Sequence, residues 1–438
     1  MSVPEDHGTG GPSRRGFLGL SAATGATVML GSACGAGGGG GGGAGDGTGK
    51  IRALFMKQAG YSESDIRKMT ADFQKANPKI KVDVELVAYE ALHDKIVAAA
   101  PAHTYDVVLI DVIWPAEFGS KRIVTDVTSK IPGETKSGML PGALTTAEYR
   151  SHYYGLPWIL DTKYLYYNKA HLKKAGVDES SLDTWDGVRA AAKKIKSAGI
   201  VDAPLAWSWK QVEALICDYT QLLGAFGGTF LSEDGKSAAF QTGGGLEALK
   251  FMRGTIDDGL TNKGSITWIE DDVLKTFSQG QASFMLNWTY GFGGADDPKS
   301  SKVAGDVGIR QTPAGPDGKR PGVNGSMALC VAGGSQNQAA AWKYVSYLTS
   351  RPVQDRYATS SLPCWKDSYE DPKVIKANPD VVPVAKKQLA DLIARPQVPR
   401  YNEMSQLLQA QLQKCLAQGK DPAEVLNAAA TQAKRILS

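Results

Sequence analysis

The sequence predicts an α/β protein with more than one lobe, and three observations carry that prediction. Residues 51–111 alternate strand and helix patterns in the order βαβαβ, a second α/β pattern begins after Leu160, and no polar linker separates the two. Alternation of this kind builds a mostly parallel sheet covered by helices. The missing linker implies lobes joined by several chain crossings. The 438 residues, 42% hydrophobic and 21% charged, suffice for two or three compact units with ample core.

Local signals support each element in turn. Ile51 to Met56 is an apolar run that enters a loop at Lys57 to Tyr61. Ser62-Glu63-Ser64-Asp65 then caps a helix whose apolar positions are Ile66, Met69 and Phe73. Asn77-Pro78 stops that helix, and Ile80 to Leu86 alternates with the period of a half-buried strand. A further helix to Ala100 leads into Tyr105 to Asp111, a continuous apolar run typical of a central parallel strand. In the second pattern Tyr164 to Tyr167 is a strand, Thr184-Trp185 opens a helix through Ala198, and Gly199 closes it. Ser326 to Val331 is a strand feeding a helix from Gln338 to Thr349, and the C-terminal hundred residues are mostly helical. Open α/β sheets bind ligands in the loops beyond the carboxyl ends of their strands.

The N-terminus carries an address. Ser13-Arg14-Arg15-Gly16-Phe17-Leu18-Gly19 resembles a twin-arginine export signal, and the weakly apolar run from Phe17 to Ala33 completes it. Leu30-Gly31-Ser32-Ala33-Cys34 resembles a lipobox, which makes Cys34 the expected lipid attachment site and residues 1–33 the signal. Glycine dominates residues 35–50, so residues 34–50 are expected to be a tether with a reach of about 20–25 Å. The expected location is extracytoplasmic, lipid-anchored to the outer face of the cell membrane. Cys217, Cys330, Cys364 and Cys415 remain, with three possible pairings or none.

The net charge of +4 (49 basic, 45 acidic residues) is spread along the chain, with no block suited to a phosphate backbone. Nucleic acid is therefore not an expected partner. The histidines after residue 34, namely His93, His103, His152 and His171, show no metal-ligand spacing, and there is no nucleophile elbow or phosphate loop. No metal, cofactor or catalytic residue is expected. The glycine-rich stretches Gly224 to Gly228 and Gly291 to Gly294 read as turns. Asp257-Asp258, Glu270-Asp271-Asp272 and Asp296-Asp297 read as solvated helix starts and loop charges.

What the sequence over-supplies is tryptophan near polar side chains. Six of its nine lie in loop-like or strand-end contexts: Trp114, Trp158, Trp207, Trp209, Trp288 and Trp365. An aromatic face suits a pyranose, whose axial C–H bonds form an apolar plate while carboxylates and amides take the hydroxyls. Trp185 and Trp342, inside helical patterns, belong to the core.

Several stretches in order resemble one family. They are Tyr105 to Asp111 followed by Trp114, Tyr154-Gly155-Leu156-Pro157 through Tyr166-Tyr167-Asn168-Lys169, Phe277 to Trp288, and Leu362-Pro363. In this order and spacing the chain from Ile51 on resembles the carbohydrate-binding lipoproteins of bacterial ABC importers, the maltose-binding-protein-like family. The resemblance implies a two-lobed periplasmic-binding-protein-like (type II) fold with a hinge and an interlobe ligand cleft. It also implies a monomer that captures a carbohydrate and delivers it to the permease subunits in the membrane. The implied lobes are 51–160 with 315–350, and 161–314 with 351–438. The twin-arginine start and Arg395 to Pro399 are most similar to lipoproteins that take trehalose or malto-oligosaccharides. Carried over by position, Asp111 and Asp161 meet sugar hydroxyls, Glu270 and Trp288 lie on the second lobe's face, and Arg395 is a further donor. Gln58, Tyr61, Glu90, Tyr290, Gly325 and Ser326 complete the candidate ligand contacts.

Two other readings stay open from sequence. A glycerophosphate or glycerophosphodiester-binding protein of the same fold would need converging cations, for which Lys57, Lys210 and Arg395 are candidates. A secreted glycoside hydrolase would need two carboxylates about 5 to 10 Å apart.

Overall fold

The computed structural model describes residues 47–57 and 60–437. The twin-arginine segment, Cys34, most of the glycine-rich stretch and Gln58 lie outside the described residues. The principal strands are β1 (Gly49–Met56), β2 (Ile80–Val87), β3 (Val107–Asp111), β4 (Leu156–Ile159), β5 (Tyr164–Asn168), β6 (Leu205–Ala206), β7 (Phe284–Asn287), β8 (Val307–Arg310), β9 (Gly322–Val323), β10 (Met327–Val331) and β11 (Leu392–Ile393). All but β9 and β11 form two main sheets, one for each lobe.

The first sheet has the order β2-β1-β3-β10-β4. Helices Glu63–Ala76 and Tyr89–Ala99 connect β1, β2 and β3, and these three run parallel. The first of these helices starts at the cap expected from the sequence, and the cap is a capping box between Ser62 and Asp65. Strand β10 runs antiparallel to both β3 and β4. Its first residue, Met327, pairs with Asp111 and with Ile159, the last residues of those strands. That register brings the turn before β10, the end of β3 and the chain leaving β4 to one edge of the sheet.

The second sheet has the order β8-β5-β7-β6. Strand β5 is antiparallel to β7, with Tyr164 opposite Asn287. The start of β5 therefore lies beside the end of β7. Thr184 caps helix Trp185–Ser197 by accepting the Gly187 N–H at 3.0 Å, and Gly199 follows it at φ +67°. A small two-stranded sheet, β9 with β11, ties the return crossing to the C-terminal segment.

Leu160 to Lys163 links β4 of the first sheet to β5 of the second. Because of the two registers, this crossing touches the functional edge of both. One sequence expectation is corrected: Gly291 to Gly294 lies in a short helix, Tyr290–Ala295, instead of a turn. At Gly291 a Cβ would sit 3.2 Å from the Asn287 side chain, so glycine lets that helix pack closely on the end of β7. Among the described residues no helix is long and apolar enough to cross a membrane.

Candidate functional site

A cavity of about 510 Å³ opens where the two sheets present their strand ends. From the first sheet it is lined by Asp111, Ile113 and Trp114 after β3, with Tyr89, Glu90, His93 and Asp94 from the helix after β2. From the second come Trp288 and Tyr290 after β7, and Glu270 and Asp271 in the first turn of helix Glu270–Ser278. Asp161 enters from the crossing and Gly325 from the turn before β10. Helix Tyr401–Gln418, the last but one of the chain, adds Asn402, Ser405, Gln406 and Gln409.

Three arrangements set its chemistry. Asp161 accepts the Thr289 hydroxyl at 2.6 Å and the backbone N–H groups of Thr289 and Thr162 at 3.1 and 2.8 Å, all on Oδ1. Burial pushes its carboxyl up to about 6 despite these bonds. Lys163, fully buried, donates to Asp218 at 2.6 Å and to Ser208 at 2.8 Å, and lies 3.0 Å from Glu270 Oε1. Burial alone would favour its neutral amine, but Asp218 and Glu270 outweigh that and hold its pKa above the usual value. Arg395, only 2% exposed, donates to Asp111 at 3.0 Å, to Glu213 at 2.7 Å and to the Asn324 carbonyl at 3.2 Å. Burial pushes the Glu213 carboxyl up, with Arg395, Ser405 and Tyr401 opposing it.

The aromatic groups form two walls. Tyr89 stacks on Trp114 with ring centroids 6.0 Å apart, and its hydroxyl donates to Asp111 Oδ2 at 2.9 Å. Opposite, half-buried Trp288 donates its indole N–H to Glu270 at 3.1 Å, and Tyr290 donates to Asp271 at 3.0 Å. Trp288 lies so close to Gly325 that a Cβ there would be 2.2 Å from the ring.

Of the residues expected from sequence, the structure brings Glu90, Asp111, Trp114, Asp161, Glu270, Trp288, Tyr290, Gly325 and Arg395 to this cavity. Six others do not line it. Tyr61 and Trp158 pack ring to ring at 4.7 Å in the first lobe's core, each 1% exposed. Trp207 and Trp209 stack on one another at 5.1 Å and 6° and are buried. Ser326 is fully buried, its hydroxyl accepting the Asp161 N–H at 3.4 Å, so it supports Asp161 from behind. Trp365 directs its N–H to the Thr349 carbonyl at 3.0 Å. Neighbouring elements bury the first five and partly cover Trp365, which strand-end position alone does not reveal. Trp185 is core as expected, whereas Trp342, expected there too, is only partly buried at the edge of the core.

The residues that sequence reasoning missed are chiefly Tyr89, His93, Glu213 and the polar side of the last long helix but one. That side had a readable signal, since Asn402, Ser405, Gln406 and Gln409 recur at helical spacing. Glu213 had none, because its role follows from Arg395, 182 residues away. Lys57 and Lys210 are exposed and do not line the cavity, and both terminal nitrogens of Arg395 are held by carboxylates. The cations proposed for a phosphorylated ligand do not converge. Among the described residues no group of histidine, cysteine and carboxylate side chains could hold a metal ion.

Residues 59–355 match the family described as bacterial extracellular solute-binding protein. The chain is similar to maltose-bound MalE3 of T. maritima, with 29% identity over 88% of this chain and 99% of that one and a TM-score of 0.81. It is likewise similar to an ABC transporter solute-binding protein of Thermotoga lettingae bound with α-D-tagatose, at 26% identity over 89% and 100% of the two chains and a TM-score of 0.80. A probable ABC transporter-binding protein of Deinococcus radiodurans is 27% identical over 353 residues, 77% of this chain and 81% of that one. The family match spans most of the sequence, and the two-lobed fold and interlobe cavity agree with it. The chain belongs to the bacterial extracellular solute-binding protein family, and it is a binding protein, not an enzyme.

Proposed function

We propose that this protein captures an α-linked disaccharide of the trehalose or maltose type between its lobes and delivers it to an ABC permease. The observation that carries the reading is Trp288, a half-buried indole held at the cavity wall with the carboxylates of Glu270 and Asp161 beside it. A pyranose can lay its apolar face on the ring while its hydroxyls donate to those oxygens. Asp161 Oδ2 is suited to such a bond, since among the described residues it accepts no other. The volume falls in the range of about 300–1,000 Å³ usual for small-molecule sites. The maltose held by the T. maritima relative supports the same ligand class.

Closure would bring residues 51–160 with 315–350 against 161–314 with 351–438, around crossings such as Leu160 to Lys163. The protein works as a monomer on the outer face of the membrane, exported by its twin-arginine signal and anchored through a lipid on Cys34. Replacing Cys34 with Ala should release it from the membrane fraction, and an unchanged distribution would refute the anchor.

The ligand is tested by a thermal-shift screen of the mature protein against trehalose, maltose, malto-oligosaccharides and glycerophosphodiesters. A sugar at 100 times its Kd should add about 2.7 kcal/mol of stability. Stabilisation by a glycerophosphodiester alone would overturn the sugar reading.

A further inference from the structure

We infer that Lys163 is a positioning residue of this site, which holds Trp288 and Glu270 in the pose that meets the ligand while touching no ligand itself. The inference rests on the sugar-binding reading above. Lys163 and its anchor, Asp218, are both fully buried and do not line the cavity. Asp218 is itself fixed by Ser208, whose N–H and hydroxyl both donate to Oδ2 at 3.2 Å. From this rigid end the ammonium reaches toward the ligand side, 3.0 Å from Glu270 Oε1 and 5.1 Å from the centroid of the Trp288 ring. Glu270 Oε1 also accepts the Trp288 N–H. One buried cation thus contacts both the face of the indole and the carboxylate that holds its edge, while Gly325 confines the ring from another direction.

Stability alone is a poor explanation for this network. Desolvating a buried ion pair costs as much as its attraction returns, and apolar replacements are often as stable or more so. What apolar side chains cannot do is orient an indole and a carboxylate together. Lys163 also sits two residues after Asp161 in the crossing, so the pose of the second lobe's platform is tied to the segment that joins the lobes.

The test measures Trp288 directly and then binding. With 5-fluorotryptophan incorporated, the Trp288 signal is assigned by its absence in Trp288→Phe. It should shift in Lys163→Met and also in Lys163→Met/Asp218→Leu, which removes both buried charges and guards against a folding failure. Lys163→Arg should restore most of the parent position. For maltose and trehalose, Lys163→Met should raise Kd at least about tenfold in the parent but no more than about twofold in Trp288→Ala, as expected of residues that act as a unit. An unmoved Trp288 signal in the folded double variant, or equal losses in both backgrounds, would overturn the inference. If the parent binds neither sugar, the sugar reading fails, and the fluorine shift still decides the role of Lys163.

Discussion

Asp111 and Arg395, 284 residues apart in sequence, form a buried ion pair at 3.0 Å at the wall of the cavity. The other terminal nitrogen of Arg395 reaches Glu213, at the start of helix Glu213–Ala225. Asp111 ends a strand of the first sheet, so one guanidinium joins that strand end to the start of this helix at the cavity wall. Arg395 is therefore a cross-link first, whereas the family resemblance implied a further donor to the ligand. Its carboxylate partner Asp111 is engaged as well, with Oδ1 accepting the Ile113 N–H and Oδ2 the Tyr89 hydroxyl.

Removing one member of this cluster should cost stability as well as affinity. Breaking a buried pair leaves an uncompensated charge, at about 3–5 kcal/mol, and Glu213 keeps Arg395 at the lower end of that range. Asp111→Ala should accordingly lower the free energy of unfolding by about 3 kcal/mol. Urea unfolding checks it, and an unchanged midpoint would show that losing Asp111 leaves no costly uncompensated charge on Arg395.

Gly325→Ala should act on Trp288. The new Cβ cannot occupy a position 2.2 Å from the ring, so the indole must move. Maltose or trehalose should bind at least about tenfold more weakly, equivalent to about 1.4 kcal/mol. Trp288→Ala should lose a similar amount or more through the missing stacking face. Calorimetry giving parent-like affinity for both variants would remove Trp288 from the ligand site.

Asp161 predicts a pH dependence. Its folded value of about 6 lies above the ordinary 3.8, so the folded chain holds this proton more tightly than the unfolded one. The stabilising contribution of protonated Asp161 is complete below about pH 4 and is lost as pH rises through about 6. Relative to Asp161→Asn, the parent should lose up to about 3 kcal/mol of stability between pH 4 and 7. Comparing the two removes other titrating groups, and parallel stability curves would contradict the raised value.

The four cysteines of the folded part should behave as thiols. Cys217, Cys330, Cys364 and Cys415 are unpaired and buried, and burial pushes Cys364 up to about 12 and Cys415 to about 11. A thiol reagent should label none of them quickly in the native protein and all four in denaturant. Reductant should leave the melting temperature unchanged. A shift on reduction would indicate a disulfide.

The sequence by itself determined the elements and their order, because their signals act within a few residues. The Ser62 capping box, the Thr184 cap and the alternating pattern of Ile80 to Leu86 are local interactions. The family resemblance also pointed to Asp111, Asp161, Glu270 and Trp288, which line the cavity, although the acidic run from Glu270 to Asp272 read by itself as a solvated helix start. Only the tertiary structure decided which tryptophans face the cavity. Trp158, Trp207 and Trp288 have similar sequence surroundings, but coverage by distant elements buries the first two and leaves the third at the wall. The partners of Arg395 and Lys163 are equally invisible in one dimension. A buried charge takes whichever opposite charges the packing of both sheets brings within reach, and that choice exists only after the chain has folded.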